Sequence, residues 1–454
     1  MNNLEFDVVV IGGGPSGVNA AIGSARMGAK TLLVERFGYM GGMLTNAGTG
    51  PMMTFHAGDT QVVRGVADEI IERMKQHNNS PGHMKDFVGY ASSVTPFDVE
   101  GMKIAMEELA LEAGVELLYH TTFLGCEHTD GHINSVRLFA KGGEFTVKAK
   151  TFVDASADAD LAVCANAAVR YGRDKDQLAQ PMTMNAKVYN VDREKLRQFL
   201  HENVDKTFAQ SHEVIDGSPR IGINARLDEL QFAIKNKELS FNRDVVLCFE
   251  TNNKGEFIVN MSRISKRSAI NPFELTKAEI EGRKQVREVV AFLKKYVSGF
   301  ENCVLAHTGP NIGIRESNKI DGLYKLNEMD LVNNVMFDDA IAMGGYPIDI
   351  HSPEGKSETN HHFLKEGSWY SIPYRSLLTN ASDNLVIVGR CISATHEALA
   401  AVRVTPIAMA VGHAGGIAAA LSSKHQVPVQ EVDVTELRQE LKNQGAFLEE
   451  YPQG

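Results

Sequence analysis

Residues 6–35, FDVVVIGGGPSGVNAAIGSARMGAKTLLVE, set a strand, a glycine turn, a helix, a second strand and an acidic residue in an order that few folds can accept. Val8, Val9, Val10 and Ile11 form a continuous β-branched run, the pattern of a parallel strand buried on both faces. Gly12 permits a tight turn out of that strand, Gly14 lets backbone N–H groups approach a pyrophosphate, and Gly17 lets the helix pack on the sheet. Pro15 and Ser16 open the helix, and the positive end of its dipole favours phosphate charge. Gly28 stops it, TLLVE supplies the second strand, and Glu35 ends that strand where a carboxylate accepts bonds from ribose hydroxyls and repels a 2′-phosphate. A glycine triplet alone is weak evidence. The complete order, through to the terminal acid, predicts a domain that grips the ADP half of a dinucleotide.

The motif continues into RFGYMGGMLTNAG, residues 36–48, with a second glycine pair at Gly41 and Gly42. Further along stand DASADADLA (154–162), NIGIRESNKIDGLY (311–324), IPYRSLL (372–378), NLVIVGRCISATHEALAAVR (384–403) and TPIAMAVGHAGGIAAA (405–420). On these motifs, spread over almost the whole chain, the protein resembles the glutathione-reductase-like FAD proteins. It resembles more closely the FAD-dependent oxidoreductases related to fumarate reductase and the GidA flavoproteins. The resemblance implies bound FAD contacted by Gly12, Gly14, Pro15, Ser16, Gly17, Glu35, Arg36, Gly41, Gly42, Met43, Asp158, Gly389, Arg390 and the stretch from Arg403 through Thr405, Pro406 and Ile407. One departure is visible: many relatives place an acid for the ribityl hydroxyls directly after the strand-ending glycine, and this chain has Arg390 there. Some relatives also carry a histidine joined covalently to the flavin. GGMLTNAGTG holds none, and His56 lies too far along, so noncovalent FAD is expected.

With 454 residues, the chain is expected to form two joined units. The expected fold is α/β. A Rossmann-like FAD-binding domain, with a parallel sheet and a β-meander, is assembled from residues 1–160 and 376–454. An inserted α+β substrate or cap domain occupies 161–375. GMKIAMEELALEA (101–113) reads as an amphipathic helix closed by Gly114, with VELLY the next strand. TTFLGCEH, HINSVRLFA and EFTVKAK read as three meander strands, and TFVDAS as a separate buried strand after them. The charged stretch from Thr276 to Val297 reads as a cap helix, and residues 424–454 as a surface strand and a polar helix. A single dinucleotide fingerprint argues against a dedicated NAD(P)H domain.

Five widely spaced cysteines fit neither a disulfide framework nor a CxxC metal site, and the chain enters its first strand without a charged and apolar leader. A cytoplasmic protein without bound metal is therefore expected. No apolar run approaches the roughly 20 residues that span a bilayer. A net charge of −11 offers no footprint for nucleic acid or an anionic membrane. The expected partner is a small-molecule substrate; self-association into a homo-oligomer and the electron acceptor are left open.

Candidates for proton transfer are His396, Glu397, Arg403, Tyr370 and Arg375, the first three read as lying on a loop beside the flavin ring. Thr405 is read as the N-cap of a helix with Pro406 at its first position, its dipole directed at the flavin's pyrimidine end. Ala410, Gly412, Ala414, Gly415 and Gly416 would keep that helix thin. Cys391 is read either as a thiol next to the flavin or, with more weight, as a small buried residue. Arg315 and Glu316 are expected to form a structural ion pair, and His361 and His362 to be solvated loop residues. The reading is an FAD-dependent oxidoreductase, a dehydrogenase or reductase, that transfers a hydride between flavin N5 and a small organic substrate. An electron-transfer flavoprotein and a GidA-like RNA-modification enzyme stand as alternatives.

Overall fold

The computed structural model describes residues 4–208, 210–355 and 359–451. Strand β1 (Leu4–Ile11), helix α1 (Pro15–Arg26) and strand β2 (Thr31–Val34) form the first unit. Val8 and Val10 join the hydrophobic core on one face of the sheet, Val9 and Ile11 the core on the other, which is why the run is apolar throughout. Strands β3 (Glu116–Leu118), β4 (Thr122–Thr129), β5 (His132–Ala140) and β6 (Gly143–Asp154) follow. EFTVKAK and TFVDAS are thus one strand and not two. β6 starts antiparallel to β5 and, from Val147 on, continues parallel to β1. Its pattern changes from alternating to continuously apolar because its surroundings change; the backbone does not break.

The cap contains an antiparallel sheet of β7 (Ala186–Tyr189), β8 (Gly222–Ala225), β9 (Val246–Glu250), β10 (Phe257–Val259) and β11 (Val304–Thr308), in the order β8-β9-β10-β7-β11. Helix α2 (Pro272–Tyr296) packs on it. Asn271 caps α2 by accepting from the N–H groups of Phe273 and Glu274, with Pro272 at the first helical position. The cap has its own core, drawn from Met182 to Ile312. Buried residues from Leu326 to Leu378 belong instead to the core that holds α1 and β1.

The chain then returns as β12 (Leu385–Ile387), α3 (His396–Val402) and α4 (Thr405–His425). Six strands run in the order β3-β2-β1-β6-β5-β4, and β12, paired with β6 in parallel off that path, is the seventh strand of the sheet. α4 is long and apolar enough to meet a membrane-span test, contrary to expectation, but 89% of its apolar window is buried in the fold. It lies directly on α1: a Cβ at Gly412 would sit 2.1 Å from the Ser16 carbonyl oxygen, and one at Gly416 2.0 Å from that of Ala20. Past α4 there is no surface strand among the described residues. Val429 is buried in a 3-10 turn, its N–H donating to the Asp383 carbonyl at 2.7 Å, before the helix Val434–Asn443.

Candidate cofactor and substrate site

A cavity of about 420 Å³ runs from the carboxyl ends of β1 and β6 to the cap, the place where parallel α/β sheets bind ligands. The three glycines of the turn have different causes. At Gly12, with φ +106°, a Cβ would lie 2.4 Å from the Ala155 carbonyl oxygen, and at Gly17 it would lie 1.8 Å from that of Gly12. Both are required by the protein's own packing. Gly14 has extended backbone, caps α1 without a side-chain hydrogen bond, and a Cβ on it would meet nothing within 4 Å. It lines the cavity with Gly12, Pro15 and Ser16, so the first N–H groups of α1 face an open cradle of the kind a pyrophosphate fills. Gly42, against Gly14, and Met43 continue the wall. Gly17, Gly41, Pro406 and Ile407 are off it: a Cβ on Gly41 would strike Thr45, while Pro406 and Ile407 are buried in the core.

Glu35 closes the cradle from β2. Its carboxylate accepts the Gly13 N–H at 2.7 Å and the Phe37 N–H at 2.9 Å, and it borders the cavity. Beside it, the Arg36 guanidinium lies 4.8 Å from the Phe37 ring centre. On the other wall, Arg390 Nη2 donates to Asp158 Oδ1 at 2.7 Å, and Arg390 Nε is buried without a partner among the described residues. Gly389, with φ +85°, turns the chain there. Burial and the nearby charges of Asp158 and Asp154 push the Asp160 carboxyl up to about 6. Open N-terminal cradle, strand-end acid and orphaned guanidinium N–H together fit the diphosphate and ribose of FAD. α4 begins one residue earlier than expected, with Val404 at the N-cap and Thr405 as its first residue; Thr405 and Ala408 reach the cavity.

The cap end of the cavity is charged and aromatic. Arg403 lines it, donating weakly to the Gln180 side-chain oxygen at 3.3 Å and lying 3.8 Å from Asp349 Oδ2. Asp349 Oδ2 is 3.1 Å from His351 Nε2, and burial holds His351 well below the usual histidine range, so its ring is neutral. Neither residue was singled out from sequence, although IDIH at 348–351 is a strand in which residues two apart face the same side. Arg315 also lines the cavity, donating to the Pro181 carbonyl and the Thr183 hydroxyl, and Arg243 and Asp244 stand nearby on the wall. The expected Arg315–Glu316 pair does not form. Glu316 turns away into a buried group, bonded to Lys319 and, at 2.7 Å, to His396 Nδ1.

That group removes His396 from the cavity wall. The residues after β12 form helix α3, capped by Thr395, and not a loop; His396, its first residue, points at Glu316, and Glu397 is off the wall as well. Tyr370 is fully buried between strands, its hydroxyl donating to the Tyr346 carbonyl at 3.3 Å and its ring filling the space over Gly344. Arg375 is at the surface, paired with Asp339 at 2.9 Å. Of the five candidates for proton transfer, only Arg403 reaches the cavity. Cys391 is fully buried in the core, where burial pushes its thiol well up. His56 bonds Ser93 away from the cavity, and His351 is the histidine on the wall among the described residues. His361 and His362 lie on a short strand, Thr359–His362; His362 is exposed, and the side chain of His361 lies outside the described residues.

The chain is 29% identical to the mitochondrial dihydrolipoyl dehydrogenase of Schizosaccharomyces pombe over 168 residues, 34% of this chain and 28% of that protein. It is 50% identical to a soluble pyridine nucleotide transhydrogenase of Mycobacterium bovis over 50 residues, 11% of each chain. The matches therefore span well under half of these curated relatives. Among solved structures, the fold is similar to a geranylgeranyl bacteriochlorophyll reductase-like protein from Thermoplasma acidophilum (TM-score 0.45, 13% identity, 97% of this chain and 83% of that one). It is also similar to L-proline dehydrogenase from P. horikoshii (TM-score 0.44, 12% identity, 98% and 100%). The FAD dependent oxidoreductase family matches residues 7–441. With that match over nearly its whole length, and a cradle that fits the cofactor, the chain belongs to the FAD dependent oxidoreductase family and binds FAD.

Proposed function

We propose that this protein is an FAD-dependent oxidoreductase that exchanges a hydride with a small organic substrate held between the flavin and the cap. The observation that supports this most is the continuity of the cavity: the same space that opens at Gly14 extends to Arg403, Asp349 and His351. Bound FAD supplies a hydride acceptor or donor at N5, chemistry that amino-acid side chains lack. The chain does the rest. Thr405 and the N-terminus of α4 present fixed positive potential to one edge of the cavity. Arg403 holds a planar cationic fork beside Asp349. The hydrogen-bonded Asp349–His351 pair supplies the acid and base groups on this wall that handle the proton accompanying hydride transfer. The cap strands and the rings of Tyr90 and Tyr346 exclude water from this end.

The test is anaerobic mixing of the holoprotein with alcohols, amines and saturated acids in one series, and of the photoreduced holoprotein with activated alkenes in another. Bleaching or recovery of the flavin spectrum with a small organic compound is the expected result. Electron exchange with quinones or redox proteins alone, and with no organic compound in either series, contradicts the proposal.

A further inference from the structure

We propose that the cap end of this cavity takes a small organic acid with a flat apolar body, and that Arg243 and Arg315 bind its carboxylate together with Arg403. The inference rests on the redox reading above and names the substrate class for it.

Arg243 is the strongest pointer. It lines the cavity and is only 2% exposed. Among the described residues it donates to one acceptor, the Asn260 carbonyl at 3.1 Å, and its Nε has no partner at all. Arg315 donates to the Pro181 carbonyl and the Thr183 hydroxyl, both uncharged. Burial, together with the charges of Arg403 and Arg243, pulls its proton affinity well down, the mark of positive charge short of compensation. Arg403 Nε is also buried without a partner among the described residues. Two acids act on these guanidinium groups: Asp244, the stronger of the two on Arg243, and Asp349, 3.8 Å from Arg403 and shared with His351.

Buried guanidinium groups are costly unless an anion meets them, and their fork geometry matches a carboxylate. The charge count indicates how much anion. The three guanidinium groups of Arg243, Arg315 and Arg403 have two acids acting on them, Asp244 and Asp349, with His351 neutral, which leaves one positive charge in excess. A single carboxylate neutralises it. The shape of the body follows from the rings beside it. Tyr90 lies 5.8 Å from Tyr346 and 6.2 Å from Phe208, centre to centre, and all three line the cavity. Such rings favour a flat, unsaturated group over a polar chain.

Calorimetric titration of the holoprotein with benzoate and crotonate, beside their neutral isosteres benzamide and crotonamide, tests the proposal. At least one acid should bind, at least tenfold tighter than its amide, and perturb the flavin spectrum. Arg243→Gln and Arg315→Gln should each weaken that acid at least tenfold with flavin content unchanged. Amides binding as well as acids, neither acid binding, or wild-type acid affinity in both flavin-loaded variants would overturn it. The wild-type comparison stands even if a variant does not fold. Acid binding with no organic compound exchanging electrons with the flavin would remove the redox reading and leave this one, whereas electron exchange with neutral compounds, without acid binding, would do the reverse.

Discussion

Arg390 and Asp158 meet at 2.7 Å on one wall of the cofactor cavity, joining the loop after β6 to the turn after β12. Arg390 occupies the position where many relatives have an acid, so the negative group on this wall comes from the other loop and arrives already paired. Removal of the arginine leaves Asp158 uncompensated in a site built for a diphosphate. Arg390→Ala should raise the dissociation constant for FAD about tenfold or more, and Asp158→Asn in the same chain should recover part of the loss. A double-mutant cycle on FAD affinity should give a coupling of about 1 to 3 kcal/mol; additivity would mean that the pair plays no part in binding.

Glu35 bonds the backbone N–H groups of Gly13 and Phe37, so it shapes the cradle as well as bordering the cavity. Glu35→Ala should weaken FAD by about 1 to 3 kcal/mol, the usual loss for charged hydrogen bonds. The visible spectrum of the bound flavin should hardly move, because the ribose is remote from the ring. Fluorescence titration of the apoprotein measures the first effect and absorbance the second.

Arg403 is the one residue chosen from sequence for catalysis that borders the cavity. Arg403→Lys keeps the charge and loses the fork, so turnover should drop about tenfold or more with FAD still bound. Arg403→Ala should in addition lower the flavin reduction potential, because less positive charge stabilises the reduced anion. Unchanged turnover and potential in both variants would make Arg403 an anchor for Gln180 and Asp349 only.

His413, in the middle of α4, is held neutral by burial, its proton affinity depressed from 6.5 to about 4. Below pH 6.5 the unfolded chain takes up a proton that the folded chain refuses until about pH 4, so folding stability falls as pH falls through that window. The slope is on the order of 1 kcal/mol per pH unit. Urea unfolding of wild type and His413→Gln at pH 7 and pH 5 should show the variant losing less stability than wild type on acidification.

The nucleotide half of the fold was legible because its residues answer to local rules. β-branched runs, a glycine turn and a strand-end acid act over distances of a few residues, and β1, α1 and β2 form where those rules predict. β6 was divided because its apolar pattern changes where its neighbours change, from β5 on one side to β1 and β12, which only the sheet reveals. The substrate end was much less legible. Arg315 and Glu316 are adjacent in sequence and face opposite ways; Glu316 serves Lys319 and His396, and Arg315 the cavity. Arg243, Asp349 and His351 come from separate cap and linking segments with no motif between them, and only tertiary packing assembles them. Tyr370 and Arg375, candidates for proton transfer by residue type, are kept from the cavity by packing: strand pairing buries one and a surface ion pair holds the other.

The most direct measurement is the flavin content of purified wild type and Gly14→Val, with acid precipitation of each. A Cβ at Gly14 meets no protein atom within 4 Å, so the variant should fold, and its side chain should occupy the space the pyrophosphate needs. Wild type should carry FAD that leaves the precipitated protein intact, and Gly14→Val should be folded, with circular dichroism matching wild type, and colourless. A folded Gly14→Val with full flavin content would contradict the cofactor site described here, and FAD remaining in the wild-type pellet would contradict its noncovalent attachment.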